Sequence, residues 1–422
     1  MILGTVFGAA VLQVSVAAAA LGPLPPPPPQ PESSAAAQVA PTSGNALPAP
    51  VAPTPVAMQA VAPPAAALPE NALDFTSYAR TLAHVAACSP VGALPERFDP
   101  RVIESHCTQL AALQERWRQL WLTQAQPFLA RVVPHDLPPT VVYPFGGGDL
   151  LTALVTFPRA TEITTLSLEP AGDPRSIDAL TALDLEPMLA EVREKVNHLF
   201  HYGHSKTIDM GKMAKSKLPG DLTYALVALE MNQLDPVAVR FFRIDRNGTL
   251  LYLTQADLDP TGEPRARRAA FANMEIEYMP RGGGPRRIFR HIAANLDDPH
   301  LKADPGVLRH LEAKGQVAAI TKAASYLLWW KEFGQIRNYL LRNMVWMISD
   351  STGIPTDDAV ANGFEQIPYG RFDGPFLGGG IRPTEVFRKL WAEKAQPLAF
   401  RFGYPDASNH DHLLITRRVA KQ

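Results

Sequence analysis

The stretch that decides the fold is TVVYPFGGGDLLTALVTFPRATEITTLSLE, residues 140–169. Residues 140–145 are β-branched or aromatic apart from Pro144, and they predict a short buried strand with its proline near the end. Gly146-Gly147-Gly148 follows directly, and consecutive glycines predict a tight turn. The chain is therefore predicted to leave this strand through a glycine turn.

Asp149 comes next and is a suitable N-cap for a helix over 150–157, which Pro158 ends. Residues 162–168 are rich in Thr, Ile and Leu and predict a second strand, with Glu169 at its carboxyl end. A strand, a glycine turn, a helix and a strand in this order are typical of a parallel sheet.

The remaining body is predicted to contain hairpins as well as helices. Two β-rich runs over 239–254 flank Asn247-Gly248, which predicts a hairpin with a type I′ turn. Lys322 and Ser325 fall in a predicted helix and are interpreted as core residues. The further predicted elements are a helix over 184–200, a second hairpin of 274–279 with 287–292, helices over 307–313 and 321–330, and paired strands over 398–404 and 412–416.

We therefore predict an α/β fold: a mostly parallel, Rossmann-like sheet with added antiparallel hairpins and a helical N-terminal region packed on it. A chain that is 46% hydrophobic can bury a large core. The predicted organisation is a signal peptide or membrane anchor over 1–21, a disordered Pro/Ala-rich tether over 22–70, a helical region over 71–139 and an α/β body over 140–422.

The first 21 residues are almost wholly apolar and end in the small residues Ala17–Ala20, as a signal peptidase requires. About 20 apolar residues would also span a bilayer as an anchor. No basic residue precedes the run, so the alternative is an Ala-rich start of a cytosolic protein. Of the 41 prolines, 15 lie between Pro23 and Pro69, where Glu32 is the only charged residue, and this composition predicts an extended tether. We expect an exported protein, periplasmic or associated with the cell envelope.

The two cysteines, Cys88 and Cys107, lie just after the tether and 19 positions apart. In an oxidising compartment they would form a disulfide, and otherwise they would be two buried thiols. The net charge of −1 gives no general attraction to nucleic acids or anionic membranes. We therefore expect a small ligand or an envelope protein as partner, no nucleic acid, and membrane contact only through the N-terminal segment.

The glycine turn and Glu169 form the predicted ligand site. Open parallel sheets bind ligands beyond the carboxyl ends of their strands, and sites for nucleotides and S-adenosylmethionine use an acid about 20 residues after a glycine turn to hold a ribose. Gly148 and Glu169 are 21 positions apart. The third glycine of the dinucleotide motif is replaced by Leu151, and Asp149 would repel a phosphate at the helix start. The alternative is a structural turn with a capping Asp149 and a surface Glu169.

Asp350 is the second candidate site residue, and it follows the apolar run 336–348. If that run ends as a strand, Asp350 joins Glu169 at the carboxyl edge of the sheet, where paired acids could transfer protons or hold a cation. If the run is helical, Asp350 is a loop residue. No metal site is predicted, because the spacing of the histidines does not match a ligand set: His198, His201 and His204, with His410 and His412.

Several motifs occur together in the body: Tyr143-Pro-Phe-Gly-Gly-Gly-Asp149, Leu168-Glu169-Pro-Ala-Gly172, Lys322-Ala-Ala-Ser-Tyr-Leu-Leu328 and Asp350-Ser-Thr-Gly-Ile-Pro355. In these motifs the sequence resembles a family of bacterial proteins, often with export signals, that has no known activity. The resemblance covers most of the chain beyond Pro139 and none of it before. It implies that these segments belong to one body and it supports export, but it implies no reaction.

Two functions are compatible with these features. The first is a non-catalytic periplasmic or surface binding module without a cofactor, in which the glycine turn shapes a pocket and Glu169 and Asp350 orient the ligand. The alternative is an S-adenosylmethionine-dependent, methyltransferase-like enzyme in which Gly146–Gly148 and Glu169 hold the cofactor. An exported protein would meet little S-adenosylmethionine, so cellular location distinguishes the two.

Overall fold

A computed structural model describes residues 70–202, 217–258, 269–322, 324–372, 382–403 and 410–419. The predicted signal peptide or anchor over 1–21 and nearly all of the tether lie outside these residues, so both stay predictions. Within the described ranges, no helix is long and apolar enough to cross a membrane.

Helices cover both faces of one sheet. The α-helices are α1 (Thr76–Ala87), α2 (Pro100–Trp117), α3 (Thr123–Val132), α4 (Leu150–Thr156), α5 (Ala182–Tyr202), α6 (Gly220–Met231), α7 (Asp298–Ala303), α8 (Gly306–Glu312), α9 (Gly334–Asn343), α10 (Thr356–Ala361) and α11 (Glu385–Lys394). A π-helical turn over Arg118–Leu122 joins α2 to α3. Short 3-10 segments cover Pro174–Ala179, Gln255–Leu258, Ala324–Trp329 and Lys331–Phe333.

The strands are β1 (Thr140–Pro144), β2 (Glu162–Ser167), β3 (Leu234–Ile244), β4 (Leu250–Tyr252), β5 (Asn273–Pro280), β6 (Arg287–Ala293), β7 (Val317–Thr321), β8 (Met344–Ser349), β9 (Phe364–Gly370) and β10 (His412–Arg418). They form a ten-stranded sheet in the order β4-β3-β5-β6-β2-β1-β7-β8-β10-β9. The predicted strand, glycine turn, helix and strand over 140–169 are confirmed as β1, α4 and β2.

The α/β fold is confirmed, but the prediction of a mostly parallel sheet is wrong. The central pairs β6–β2, β2–β1, β1–β7 and β7–β8 are parallel. The pairs β4–β3, β3–β5, β5–β6, β8–β10 and β10–β9 are antiparallel. The sheet is therefore mixed, with a parallel centre between antiparallel flanks.

The chain changes direction across the sheet between β1 and β7. From β1 it proceeds to β2 on one side, and after β6 it returns to β7 on the other side of β1. The helix α4, which connects β1 to β2, belongs to the core on one face of the sheet. The helix α9, which connects β7 to β8, belongs to the core on the opposite face. The carboxyl ends of β1 and β7 therefore form the switch point of the sheet, the position at which open α/β sheets bind their ligands.

The N-terminal helices share the larger core with the sheet. Phe75, at the start of α1, packs edge-to-face against Phe241 of β3 and against Phe271. Cys88 and Cys107 form a disulfide with a Cα–Cα distance of 5.5 Å. This disulfide ties the C-terminal end of α1 to the middle of α2.

Both predicted hairpins are present, but the first turn is not type I′. Gly248 has a φ of 91°, whereas Asn247 has no positive φ, and type I′ requires it at both central positions. The Gly248 amide donates to the Asp245 carbonyl (3.0 Å), and the Asp245 carboxylate accepts from the Asn247 amide (2.8 Å). The side chain of Asp245 therefore stabilises the turn.

Two further predictions were wrong near the C-terminus. The predicted helix 321–330 is a 3-10 segment over Ala324–Trp329, and its first residue, Thr321, belongs to β7. The run 336–348, for which a terminal strand and a helix were the two alternatives, is divided between α9 and β8, so it ends as a strand and places Asp350 at the carboxyl edge. Residues 398–403 form no strand, and β10 pairs with β8 and with β9, which was not predicted.

Candidate functional site

Polar side chains follow four neighbouring parallel strands at the edge where these strands end. Asp149 follows β1, Glu169 follows β2, Lys322 follows β7 and Asp350 follows β8. All four residues are buried. Because charged groups are seldom buried without partners, their hydrogen bonds determine what this edge can do.

Asp149 and Lys322 form a buried ion pair at the carboxyl ends of β1 and β7. Lys322 Nζ lies 2.8 Å from Asp149 Oδ2 and also donates to Thr152 Oγ1 at 2.7 Å. Asp149 Oδ2 accepts from the Tyr143 hydroxyl at 2.9 Å, and Asp149 Oδ1 accepts from the backbone amide of Thr152. Asp149 therefore caps α4, as predicted, and neutralises Lys322.

Asp350 extends this cluster from β8. Its Oδ1 accepts from the Thr352 amide at 3.1 Å and from the hydroxyls of Ser325 and Thr352. A Cβ at Gly403 would lie 2.9 Å from the Asp350 Cβ, so the backbone there packs directly on Asp350. We call Tyr143, Asp149, Lys322 and Asp350 the switch-point cluster.

Burial and the negative charges of Asp149 and Asp350 raise the pKa of Tyr143 well above its usual range. Tyr143 therefore stays a neutral phenol that donates to Asp149. The negative charges of Asp149 and Asp350 therefore both act on the Tyr143 side chain, although the two residues were predicted as separate site candidates.

The glycine turn is closely packed by aromatic rings. A Cβ at Gly146 would lie 2.7 Å from the Tyr143 ring, and one at Gly148 would lie 2.7 Å from the Tyr224 ring. Phe145 and Gly147 have positive φ values of 60° and 50°. The lack of side chains at Gly146 and Gly148 thus makes room for two tyrosine rings of the protein itself.

Glu169 belongs to a different group from Asp149 and Asp350. His291 of β6 lies beside it, and Nε2 of His291 donates to the Glu169 carbonyl oxygen at 2.7 Å. The same Nε2 atom is 3.1 Å from Oδ2 of Asp221 in the first turn of α6. Nδ1 of His291 accepts from the Thr165 hydroxyl at 3.1 Å. We call Glu169, Asp221 and His291 the acidic group.

Two pKa shifts determine the charges in the acidic group. Burial lowers the pKa of His291, which is therefore neutral. Burial and the negative charge of Glu169 raise the pKa of Asp221 well above its usual range, which favours the protonated form of Asp221 in the folded protein.

Among the described residues, no group of three His, Cys, Asp or Glu side chains is placed to hold a metal ion. His198 and His201 lie on α5, His410 precedes β10, and His412 is buried at the start of β10. His204 lies outside the described residues.

A groove of about 500 Å³ lies elsewhere, along β9 between α10 and α11. Its lining includes Val360, Phe364, Ile367, Leu390 and Lys394. None of the predicted site residues lines it. We therefore base no function on this groove.

Sequence reasoning missed Lys322, Asp221 and His291 as site residues. Lys322 follows the short run Val317–Thr321, whose two alanines obscure a strand signal. Asp221 follows Pro219-Gly220, a helix-start signal that was available in the sequence. His291 lies within a predicted strand, and only the pairing of β6 with β2 brings it to Glu169.

Comparison with protein-family models, with curated proteins and with solved structures gives no match. The function is therefore argued from the geometry of this chain.

Proposed function

We propose that this chain is an exported, non-catalytic binding module, periplasmic or attached to the cell envelope, that binds a small ligand at the carboxyl edge of its parallel strands. The observation that carries the proposal is the convergence of Asp149, Lys322 and Asp350 where the chain reverses its direction across the sheet, with Glu169 at the end of the neighbouring strand β2. Open α/β sheets bind their ligands at this position.

The partners of these groups favour binding over catalysis. Lys322 is neutralised by Asp149, and the single proton of His291 is donated to a backbone carbonyl. The hydroxyl that donates to the other ring nitrogen of His291 belongs to Thr165, which is fully buried, so this pair is not placed to attack a substrate. Polar groups held in fixed positions by their partners are well suited to orient a ligand.

Export is supported by two features of different kinds. The Cys88–Cys107 disulfide is a bond that persists in oxidising compartments. The apolar segment 1–21, followed by a proline-rich tether, has the composition of a signal or anchor before a displayed body. The resemblance to bacterial proteins with export signals agrees with both.

Cell fractionation of the tagged full chain, followed by N-terminal sequencing of the mature protein, tests the location. We expect an envelope fraction, an oxidised cysteine pair and a mature chain that starts near residue 21. Native mass spectrometry of the same material, before and after denaturation, tests binding and is expected to show a released small molecule. A cytosolic, reduced and unliganded protein would contradict the proposal.

A second candidate is an S-adenosylmethionine-dependent methyltransferase-like enzyme, and the strand order favours it. From β6 to β9 the order is β6-β2-β1-β7-β8-β10-β9, and β10 is antiparallel to both of its neighbours. A sheet whose parallel strands reverse their order between β1 and β7 is doubly wound, and doubly wound sheets bind nucleotide cofactors at this switch point.

Glu169 fits a role in binding S-adenosylmethionine, but the glycine turn does not. Glu169 lies at the end of the second strand, where an acid can hold ribose hydroxyls, and its Oε1 is buried without a partner among the described residues. A Cβ at Gly148, however, would lie 2.7 Å from the Tyr224 ring, so this ring occupies the space beside the turn. Calorimetry with S-adenosylmethionine distinguishes the candidates: binding that Glu169→Gln weakens would favour the enzyme, and absence of binding would exclude it.

A further inference from the structure

The acidic group contains buried carboxyl oxygens that lack hydrogen-bond donors. Oε1 of Glu169 and both Oδ1 and Oδ2 of Asp221 are inaccessible, and no described residue donates a hydrogen bond to them. Each unsatisfied buried polar atom costs on the order of 1–3 kcal/mol, and natural proteins contain few of them. The proton of Asp221 can satisfy at most one pair of these oxygens, so at least one of them lacks a hydrogen-bond donor.

The neighbouring histidine does not supply this donor. Although Nε2 of His291 is 3.1 Å from Asp221 Oδ2, its proton is directed to the Glu169 carbonyl oxygen at 2.7 Å. The other ring nitrogen accepts from Thr165, which fixes the neutral Nε2–H tautomer. The ring therefore positions the acidic group and leaves its carboxyl oxygens unpartnered.

The loop that follows Glu169 is held rigidly against the start of α6. The Leu222 amide donates to the Ala171 carbonyl (3.2 Å), and the Ala171 amide donates to the Ala272 carbonyl (2.9 Å). Gly172 has a φ of 95°, and a Cβ there would lie 2.5 Å from the Pro219 Cα. Glu169 and Asp221 thus come from two segments in direct backbone contact, as a preformed site requires.

The acidic group also lies close to solvent. Leu168, the residue before Glu169, is 65% exposed, and Pro170 on its other side is exposed as well. Glu169 itself retains 9% of its surface. The backbone on both sides of Glu169 therefore reaches the surface of the protein.

We propose that Glu169 and Asp221 bind the protonated amine of a small organic ligand. An ammonium group carries three N–H donors and a positive charge, which match three unpartnered oxygens beside a carboxylate. An anionic ligand would be repelled by Glu169, and the described residues provide no three-ligand set for a metal ion. This inference rests on the proposed function and names the ligand class of that site.

Binding of an amine changes the protonation of Asp221. In the free protein, burial and the Glu169 charge raise the Asp221 pKa. The positive charge of the ligand lowers that pKa again, so that Asp221 releases its proton to solvent as the ammonium group binds. The bound pair is then an ammonium ion between two carboxylates, and proton release accompanies binding.

Isothermal titration calorimetry of the full chain with putrescine tests the proposal, with 1,4-butanediol as the neutral analogue of the same length. Titrations at pH 7 in two buffers with different ionisation enthalpies measure the proton release. We expect saturable binding of putrescine, release of close to one proton, and no binding of the diol. Absence of binding up to about 10 mM, tenfold above a millimolar dissociation constant, overturns the proposal.

Two variants locate the site. Asp221→Asn keeps the shape and the neutral charge of the buried side chain, and we expect it to fold and to lose at least tenfold in putrescine affinity together with the proton release. Asp136→Asn, at an exposed loop position, is the matched control and should bind as the wild type does. Equal putrescine binding by wild type and Asp221→Asn overturns the proposal.

The two proposals fail in distinguishable ways. If the co-purified ligand contains no amine and stays bound to Asp221→Asn, the amine proposal is contradicted, whereas the proposal of a binding module is not. A chain that carries no ligand in its native compartment and binds neither putrescine nor S-adenosylmethionine contradicts both proposals.

Discussion

Lys322 Nζ lies 2.8 Å from Asp149 Oδ2, and both residues are at most 2% exposed. The pair joins the ends of β7 and β1, two parallel strands that are adjacent in the sheet and distant in the sequence. Two charges removed from water stabilise a protein only when each is well paired, so this contact is sensitive to the loss of either partner.

Lys322→Met should lower the free energy of unfolding by about 3–5 kcal/mol, because it leaves the Asp149 carboxylate buried without its cation. Urea unfolding of the full chain measures this change. The double variant Asp149→Asn/Lys322→Met, which removes both charges and keeps a capping oxygen at 149, should recover part of the loss. Lys389→Met, at a surface ion pair with a distance of 3.8 Å, is the control and should change stability by less than about 0.5 kcal/mol.

Gly148→Ala should lower the free energy of unfolding by about 1–3 kcal/mol, because its Cβ would be placed 2.7 Å from the Tyr224 ring in a closely packed region. Gly282→Ala is the matched control, since no atom lies within 4 Å of the Cβ position there. Thermal unfolding compares the two variants. If Gly148→Ala leaves the stability unchanged, there is free space beside Gly148. That result would favour a ligand, and not the Tyr224 ring, as the neighbour of the turn.

Asp221→Asn should change how stability depends on pH. The folded state raises the Asp221 pKa, so the folded protein keeps a proton that the unfolded chain releases above about pH 4. The stability that this bound proton contributes is fully present below about pH 4, and it is lost as the pH rises towards the pKa of Asp221 in the folded protein. The variant should therefore gain stability over the wild type by up to about 1.4 kcal/mol per pH unit.

Denaturation with urea at several pH values between 4 and 8 measures this difference, with Asp136→Asn as the control that should show none. The groups that face Asp221 are Glu169, whose charge raises its pKa, and neutral His291. A wild type that gains stability over the variant as the pH rises would mean that Asp221 is ionised and well paired in the folded protein.

Replacing both cysteines, Cys88→Ser with Cys107→Ser, should lower the free energy of unfolding by about 3 kcal/mol, as the chain-entropy model gives for a loop of this length. The bond closes a loop of 19 positions between α1 and α2. Addition of a reductant to the wild type should reproduce the loss and should leave the double variant unchanged. Equal stability of the oxidised and reduced wild type would show that the packing of Phe75 and its neighbours already holds α1 in place.

The sequence predicted helices and strands best where residues typical of turns or helix caps mark both ends of the element. The segment 140–169 has glycines, a capping Asp149 and Pro158 between its strands, and the structure contains each predicted element. The strands β7 and β9 carried no such signals. Every residue of β7 is buried, so its sequence shows no alternation between apolar and polar positions.

The sequence predicted the acidic residues of the candidate site, but it did not predict which side chains contact them. Asp149, Glu169 and Asp350 follow strands and were identified by that position. The structure divides them between the switch-point cluster and the acidic group, because Glu169 turns towards His291 and Asp221. That division depends on which strand lies beside β2, and β6 follows β2 in the chain only after three other strands.

The sequence by itself determined the strand, glycine turn, helix and strand at the start of the body and the two hairpins, because these features depend on neighbours a few residues apart. Only the tertiary structure decided that Lys322 neutralises Asp149, that Tyr224 covers Gly148, and that β10 lies between β8 and β9. The order of strands in a sheet is set by the simultaneous burial of many side chains from distant segments, and no local pattern carries that information.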